Sequence, residues 1–467
     1  MQHEPIADVE RPSAEDIADL MQSVLSDWLD HPELWAIIPE FVENYPNLVP
    51  ELQRRLNREH SATARVPLMI LLGVAGASMG GTEAMLDALM PMVGQFGQSP
   101  LIQGAIFHLE GLLDPNDPKF QLAGKICVKP FIELDVLEGA SHLCCASWLP
   151  TSVGNLQTTD WKQVWNGEAA QAIRTSVLDG SYRYCNKRTC PSIQSGHLSS
   201  AEELKADAHW REVLETGRTV LEQGPEMVNL AYDRTCNLSC PSCRKERFAA
   251  DEETRQRFDD MQDRAILPLL KNAKTVFVTG SGDPFASKNF RRLMEQLTAE
   301  EYPQLKFIIM TNGMLFTRKQ WEAFPALHHR VEALRISIDA ATGSTHELLR
   351  RGARWPLMLE NMAFAGELYA SGLVDKYELT FTIQAENYRE AGDFVDLSRE
   401  MGASGVYFGR ITNWGTFSEA EYRAKAVFIP DHPEYPEFLR AMQDPRLIDP
   451  MVLPSDLDMF MARPLAV

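Results

Sequence analysis

The chain has 467 residues, 45% of them hydrophobic and 24% charged, with a formal net charge of −20 at pH 7. This length accommodates two or three domains with cores of their own. The acidic balance provides no electrostatic footprint for nonspecific nucleic-acid binding, and the opening MQHEPIADVERPSAED has neither the basic n-region nor the apolar h-region of a signal peptide.

Residues 1–120 read as an all-helical region. In 15-EDIADLMQSVLSDWLDH-31, Ile17, Leu20, Met21, Val24, Leu25 and Trp28 recur on one face at helical spacing. Similar segments follow near 47–58, 66–78, 82–93 and 101–113, and 114-DPNDPK-119 ends the region in a turn. The greasiest run, 66-VPLMILLGVAGASMG-80, is broken by Gly and falls short of the roughly 20 residues that span a bilayer. A cytoplasmic protein with no membrane and no nucleic-acid partner is expected.

Residues 121–199 change texture to short segments that hold five cysteines. Residues 200–225 read as a charged connector helix closed by Gly224 and Pro225. From 226 to 416, apolar runs at 227–233, 274–280, 305–311, 332–339, 377–384 and 405–411 predict strands. They alternate with helices near 252–271, 287–299, 317–324, 355–371 and 388–401. Residues 417–467 form a C-terminal extension expected to cover the open side of this domain, with Arg410, Trp414 and His432 as weak candidates for substrate contact.

Alternating strands and helices predict an α/β domain with a parallel sheet. Six strands fall short of the eight of a closed barrel; an open, partial (β/α)6 barrel fits the count, with a doubly wound sheet as the alternative. In either case reactive groups belong at the carboxyl ends of the strands. There the sequence places a three-cysteine motif after the first strand, and Gly280, Asn312, Asp339 and Gln384 after later ones.

All eight cysteines lie between Cys127 and Cys243. In a reducing compartment such clustering points to metal ligands. The stretch 234-RTCNLSCPSCRKE-246 spaces Cys236, Cys240 and Cys243 as C-x3-C-x2-C, with no fourth cysteine close behind. Three thiolates on one loop can hold three irons of a cubane cluster and leave the fourth open for a ligand. A zinc site completed by a distant residue is the alternative.

CNLSCPSC on the first βα loop resembles the signature of the radical S-adenosylmethionine (radical SAM) enzymes, and the resemblance runs over about 227–415. It implies a [4Fe–4S] cluster held by the three cysteines, S-adenosylmethionine on the open iron, and reductive cleavage to a 5′-deoxyadenosyl radical that abstracts a substrate hydrogen. In 280-GSGDP-284, Ser281, Gly282 and Asp283 stand where the family has Gly-Gly-Glu, with the shorter Asp as a departure. Asn312 in 311-TNG-313, Ser337 and Asp339 in 337-SID-339, and Gln384 (with Asn387) are the further cofactor contacts the resemblance implies. Tyr407 and Phe408 would flank the adenine, because Ser242 stands where the family often has an aromatic.

The upstream cysteines sit in 126-ICVKPFIELDVLEGASHLCCASW-148 and 180-GSYRYCNKRTCP-191, with 153-VGNLQTTDWKQVWNG-167 between them. This text, within 121–199, resembles the SPASM auxiliary-cluster module. Here it precedes the radical domain, whereas it usually follows it. It also has five cysteines where seven are usual. Cys127, Cys185, Cys190 and one of Cys144 and Cys145 would hold one auxiliary [4Fe–4S] cluster, or structurally a zinc. The spare member of the pair is a candidate hydrogen-atom donor.

The resemblance implies a maturase-type enzyme acting on a peptide or protein, with the auxiliary cluster aiding oxidation of the substrate radical and a flavodoxin- or ferredoxin-like electron donor. The alternative is a small-molecule dehydrogenase or epimerase acting on a sugar or aminocyclitol. A non-catalytic zinc-binding interaction protein is a remote third reading, which conflicts with the ordered series of strand-end motifs.

Overall fold

The computed structural model of the protein describes residues 13, 18, 42–45, 47–59, 68, 69, 71, 72, 83, 86, 90, 100–196, 198–453 and 455–461. The helices predicted at 15–31, 66–78 and 82–93 lie outside these residues, apart from isolated positions. The chain divides into two units that alternate along it. One comprises Met1–Phe131, His142–Ser152 and Asn166–Leu221; the other comprises Ile132–Ser141, Val153–Trp165 and Glu222–Val467.

In the first unit, α1 (Leu48–Arg58) buries Leu48, Leu52 and Leu56, one turn apart, and pairs Glu51 with Arg55 at 2.9 Å across i,i+4. Further on come α2 (Pro100–Leu113) and α3 (Glu168–Leu178). Arg174 of α3 is fully buried. It donates to the Pro130 and Thr219 carbonyls (2.9 and 2.8 Å) and to Asn166 Oδ1 (3.1 Å), tying three chain segments together. The predicted connector helix is broken in two: a capping box of Ser200 and Glu203 starts Ala201–Leu204, and Asp207 caps a new helix, α4 (Ala208–Thr216), by accepting from the His209 and Trp210 N–H groups.

The second unit is built on an eight-stranded sheet. Its strands are β1 (Glu133–Leu137), β2 (Ala140–His142), β3 (Met227–Ala231), β4 (Thr275–Val278), β5 (Lys306–Thr311), β6 (Val331–Ser337), β7 (Tyr377–Ile383) and β8 (Gly405–Arg410), in the order β8-β7-β6-β5-β4-β3-β1-β2. Neighbours from β8 to β1 pair in parallel. The six predicted strands all form, and β1 adds a seventh parallel strand. Order follows chain order from β3 to β8, while β1 and β2 extend the sheet beyond β3, so the order turns back only at the β1/β3 boundary. The arrangement is an α/β domain consistent with a partial (β/α) barrel.

Period-2 alternation explains how the sheet carries both a core and a site. Val228, Leu230, Val276, Val278, Phe307, Ile309, Leu334, Ile336, Leu379, Phe381, Val406 and Phe408 are all sealed. The alternate positions Asn229, Met310, Arg335, Thr380 and Tyr407 stay partly or wholly exposed. Register partners Arg335 and Glu378 form an ion pair on that second face, at 2.7 Å. The edge of β8 is occupied by the C-terminal extension: Val406 N donates to Met451 O and accepts Leu453 N through its own carbonyl, both at 2.8 Å, while Arg410 pairs with Asp456 at 2.9 Å. Among the described residues, no helix is long and apolar enough to cross a membrane.

Candidate active site

The loop after β3 carries Cys236, Cys240 and Cys243, and its shape is set by local hydrogen bonds. Asp233 Oδ1 accepts Thr235 N at 2.8 Å, Cys236 N donates to Phe248 O at 2.9 Å, and the Cys243 and Arg244 N–H groups both return to Cys240 O at 2.9 Å. The turn after β4 packs directly on this loop. A Cβ at Gly282 would stand 2.5 Å from Asp233 O and 2.6 Å from Thr235 O, so only glycine permits the approach. Asp283 N then donates to Thr235 O at 2.8 Å.

Both loops open onto one cavity. Its wall includes all three cysteines, Arg244, Ser281, Gly282, Met310, Asn312, Ser337 and Arg350. Every cysteine sulfur receives an N–H donor. Cys236 Sγ accepts from Leu238 N and Asn312 Nδ2, each at 3.5 Å; Cys243 Sγ accepts from Arg244 Nη2 at 3.3 Å; Cys240 Sγ lies 3.9 Å from Arg350 Nη1. Burial pushes the Cys236 and Cys240 thiols above their usual range.

Of the predicted cofactor contacts, Ser281, Gly282, Asn312 and Ser337 line the cavity, whereas Asp283, Asp339 and Gln384 are not in its wall. Asp283 is fully buried. Its Oδ2 accepts from Thr311 Oγ1 (2.7 Å) and Asn312 N (2.9 Å), and its Oδ1 from Phe285 and Ala286 N–H groups, so it pins the second loop to the third. Asp339 holds Arg350 at 2.8 Å and accepts Thr382 N at 2.8 Å. Gln384 is buried, and its backbone N donates to Asn387 Oδ1. Phe408 is packed against Phe381 and Phe394, while Tyr407, on the opposite face, is 41% exposed; neither lines the cavity.

Sequence reasoning missed Arg244 and Arg350, although Arg244 directly follows the third cysteine. It also missed two strained positions at strand ends: Thr279 and Asp339 hold φ of +58° and +62°. For a β-branched residue this is an outlier, and such strain gathers at functional sites. Thr279 Oγ1 accepts Ser281 N at 2.9 Å and Gly282 N at 3.3 Å, which turns the glycine loop toward the cysteines.

In the first unit, Cys127, Cys144, Cys185 and Cys190 line a second, small cavity beside Tyr182, Trp148 and Lys129; Cys145 is not in its wall. Tyr182, at φ +49°, is sealed and accepts Cys127 N at 3.1 Å while donating to Lys125 O at 2.7 Å. Burial pushes the Cys185 and Cys190 thiols up. Among the described residues, no three His, Cys, Asp or Glu side chains are placed to share one metal ion.

A parallel βα domain with three cysteines on its first loop, facing a glycine turn across one shared cavity, has the arrangement of a site for a thiolate-bound cluster and a small cofactor. Residues 233–398 match the family model of the Radical SAM superfamily, and residues 128–191 match that of SPASM, an iron–sulfur cluster-binding domain. The chain therefore carries a Radical SAM domain over residues 233–398, preceded by a SPASM-like iron–sulfur-binding domain over residues 128–191. Its domains imply iron–sulfur and S-adenosylmethionine cofactors.

Solved structures with some likeness include Streptococcus suis SuiB bound to S-adenosylmethionine (14% identity, TM-score 0.30, 48% of this chain and 45% of that one). SuiB bound to precursor peptide SuiA also matches (13%, 0.31, 56% and 57%), as does TYW1 with a lysine-pyruvate adduct (15%, 0.28, 43% and 66%). The chain thus spans about half the length of the SuiB chains it matches. No curated protein matches the sequence.

Proposed function

We propose that Cys236, Cys240 and Cys243 hold a [4Fe–4S] cluster that, with S-adenosylmethionine on its open iron, supplies a 5′-deoxyadenosyl radical for hydrogen abstraction from substrate. The observation that carries this reading is the single cavity shared by three hydrogen-bonded cysteine sulfurs and the Ser281–Gly282 turn. In this reading Ser281, Gly282, Asn312 and Ser337 contact S-adenosylmethionine. Asp283 acts through the loops it pins, and Asp339 through Arg350. The apolar side chains of Met310 and Leu238 at the cavity wall help exclude water from the reacting atoms.

Cys127, Cys144, Cys185 and Cys190 are assigned to one auxiliary [4Fe–4S] cluster, on the strength of their shared cavity. Cys145 is then the spare thiol and the remaining candidate hydrogen-atom donor. A redox centre of this kind suits a reaction in which the substrate radical loses an electron. The substrate class we assign is a peptide or protein. The chain devotes its first 120 residues to a region whose described helices, α1 and α2, supply no wall residue to either cysteine cavity. A cytoplasmic location and an external electron carrier complete the reading.

The test is S-adenosylmethionine cleavage by anaerobically reconstituted protein. Dithionite should release 5′-deoxyadenosine from the wild type and from Cys145→Ala, and not from the triple variant C236A/C240A/C243A. Release by the triple variant, or none from fully loaded wild type, contradicts the proposal.

A further inference from the structure

Two basic segments meet on the surface beside the cysteine loop. Lys245 and Arg247 follow Cys243, Arg351 and Arg354 follow Arg350, and all four are exposed. Arg351 stitches the segments together: its Nε donates to Ser239 Oγ at 3.1 Å, its Nη2 to Lys245 O at 2.6 Å, and its carbonyl accepts Ser239 N at 3.1 Å. Ser239 is the residue before Cys240, so the patch abuts a cluster ligand. Gly352, at φ +100°, lets Arg247 lie across it; a Cβ there would meet Arg247 Nη2 at 2.7 Å.

This concentration of positive charge runs against the rest of the molecule. Within 244-RKER-247 and 350-RRGAR-354 there are six cations and one carboxylate, Glu246, in a chain of net charge −20. Among the described residues, Lys245, Arg247, Arg351 and Arg354 form no ion pair, and Glu421 is a carboxylate close enough to Lys245 for the charge to lower its pKa. Phe248 (42% exposed) and Leu348 (61%) add apolar surface next to the two segments. Unpaired cations around a small apolar surface are suited to steering and seating an acidic protein.

We propose that this surface docks an acidic one-electron carrier protein that reduces the cluster of Cys236, Cys240 and Cys243. The proposal rests on the radical SAM reading above. In each encounter the carrier's flavin or iron–sulfur centre is oxidised by one electron and the enzyme's cluster is reduced by one, with no proton or group transferred. A second copy of this acidic chain is disfavoured by overall repulsion. An acidic substrate segment is the competing occupant, and the position of the patch against Ser239 and Cys240 favours electron entry.

The experiment follows cluster reduction in the reconstituted enzyme by freeze-quench EPR. Reduced flavodoxin serves as the acidic carrier, and photoreduced deazaflavin as a small reductant that needs no docking surface. The charge-reversal variant K245E/R247E/R354E should slow reduction by flavodoxin about tenfold at low salt, and added salt should slow the wild type toward the same rate. The glutamine variant K245Q/R247Q/R354Q should fall between them. Iron content and reduction by deazaflavin should match the wild type throughout.

An unchanged flavodoxin rate overturns the proposal. So does equal slowing with both reductants, which would locate the effect in the cluster loop, or normal reduction with lost affinity for an acidic peptide, which would assign the surface to substrate. If deazaflavin fails to produce S-adenosylmethionine cleavage in the wild type, the radical SAM reading fails first and the docking proposal with it.

Discussion

At the scale of single residues, Arg350 links chemistry to architecture. Its guanidinium is held by Asp339 at 2.8 Å and points another nitrogen at Cys240 Sγ, 3.9 Å away. Hydrogen bonds and positive charge at cluster sulfurs favour the reduced, more negative state. A charge-assisted bond contributes about 1.5–3 kcal/mol, so Arg350→Gln should lower the one-electron reduction potential of the proposed cluster by up to about 65–130 mV. EPR-monitored redox titration reads this directly, and an unchanged or raised potential would assign Arg350 a purely structural role. Gly282 is the second test at this scale. Gly282→Ala drives a methyl group against the Asp233 and Thr235 carbonyls, both backbone atoms with little freedom to yield. S-adenosylmethionine affinity should fall at least about tenfold, the cost of a displaced binding turn, while the far-UV circular dichroism stays that of the wild type.

Among the elements, the helix α5 (Gly343–Leu349) supports the strained end of β6. His346 is sealed there, its Nδ1 bonded to Ile338 O at 2.8 Å and its Nε2 without a partner. Burial, above all, pulls its pKa down to about 4 from an ordinary 6.5. The unfolded chain therefore binds the extra proton first: the stability from neutral His346 is complete above about pH 6.5 and is lost as pH falls toward 4, by about 2 kcal/mol at pH 5. His346→Asn should flatten the pH dependence of the denaturation midpoint between pH 7 and 5, and a slope equal to the wild type's would contradict this. The six predicted strands were legible because their apolar runs are bounded by turns and separated by helical spacing. β1 was not, because Asp135 interrupts a short run embedded in cysteine-rich text. The helix predicted at 252–271 likewise hides a π-helical turn at Gln262–Ile266, which no local signal announces. In the site, the cysteines could be read from the sequence by their spacing, and Gly282 only through the resemblance of 280-GSGDP-284 to a family motif. The burial of Asp283 and Asp339 could not, since strand-end position alone does not say which way a carboxylate turns.

For the whole molecule, each cysteine cavity is built from residues of one unit only: Cys236, Cys240 and Cys243 in the second, and Cys127, Cys144, Cys185 and Cys190 in the first. Losing one set should therefore leave the other loaded. The most direct measurement is iron and sulfide counting, with metal analysis for zinc, on three anaerobically reconstituted proteins: wild type, C236A/C240A/C243A and C127A/C144A/C185A/C190A. Two [4Fe–4S] clusters predict about eight irons in the first and about four in each variant, with 5′-deoxyadenosine formed by the wild type and none by the triple variant. Zinc in place of iron, or full iron retained after removal of either cysteine set, would contradict the account.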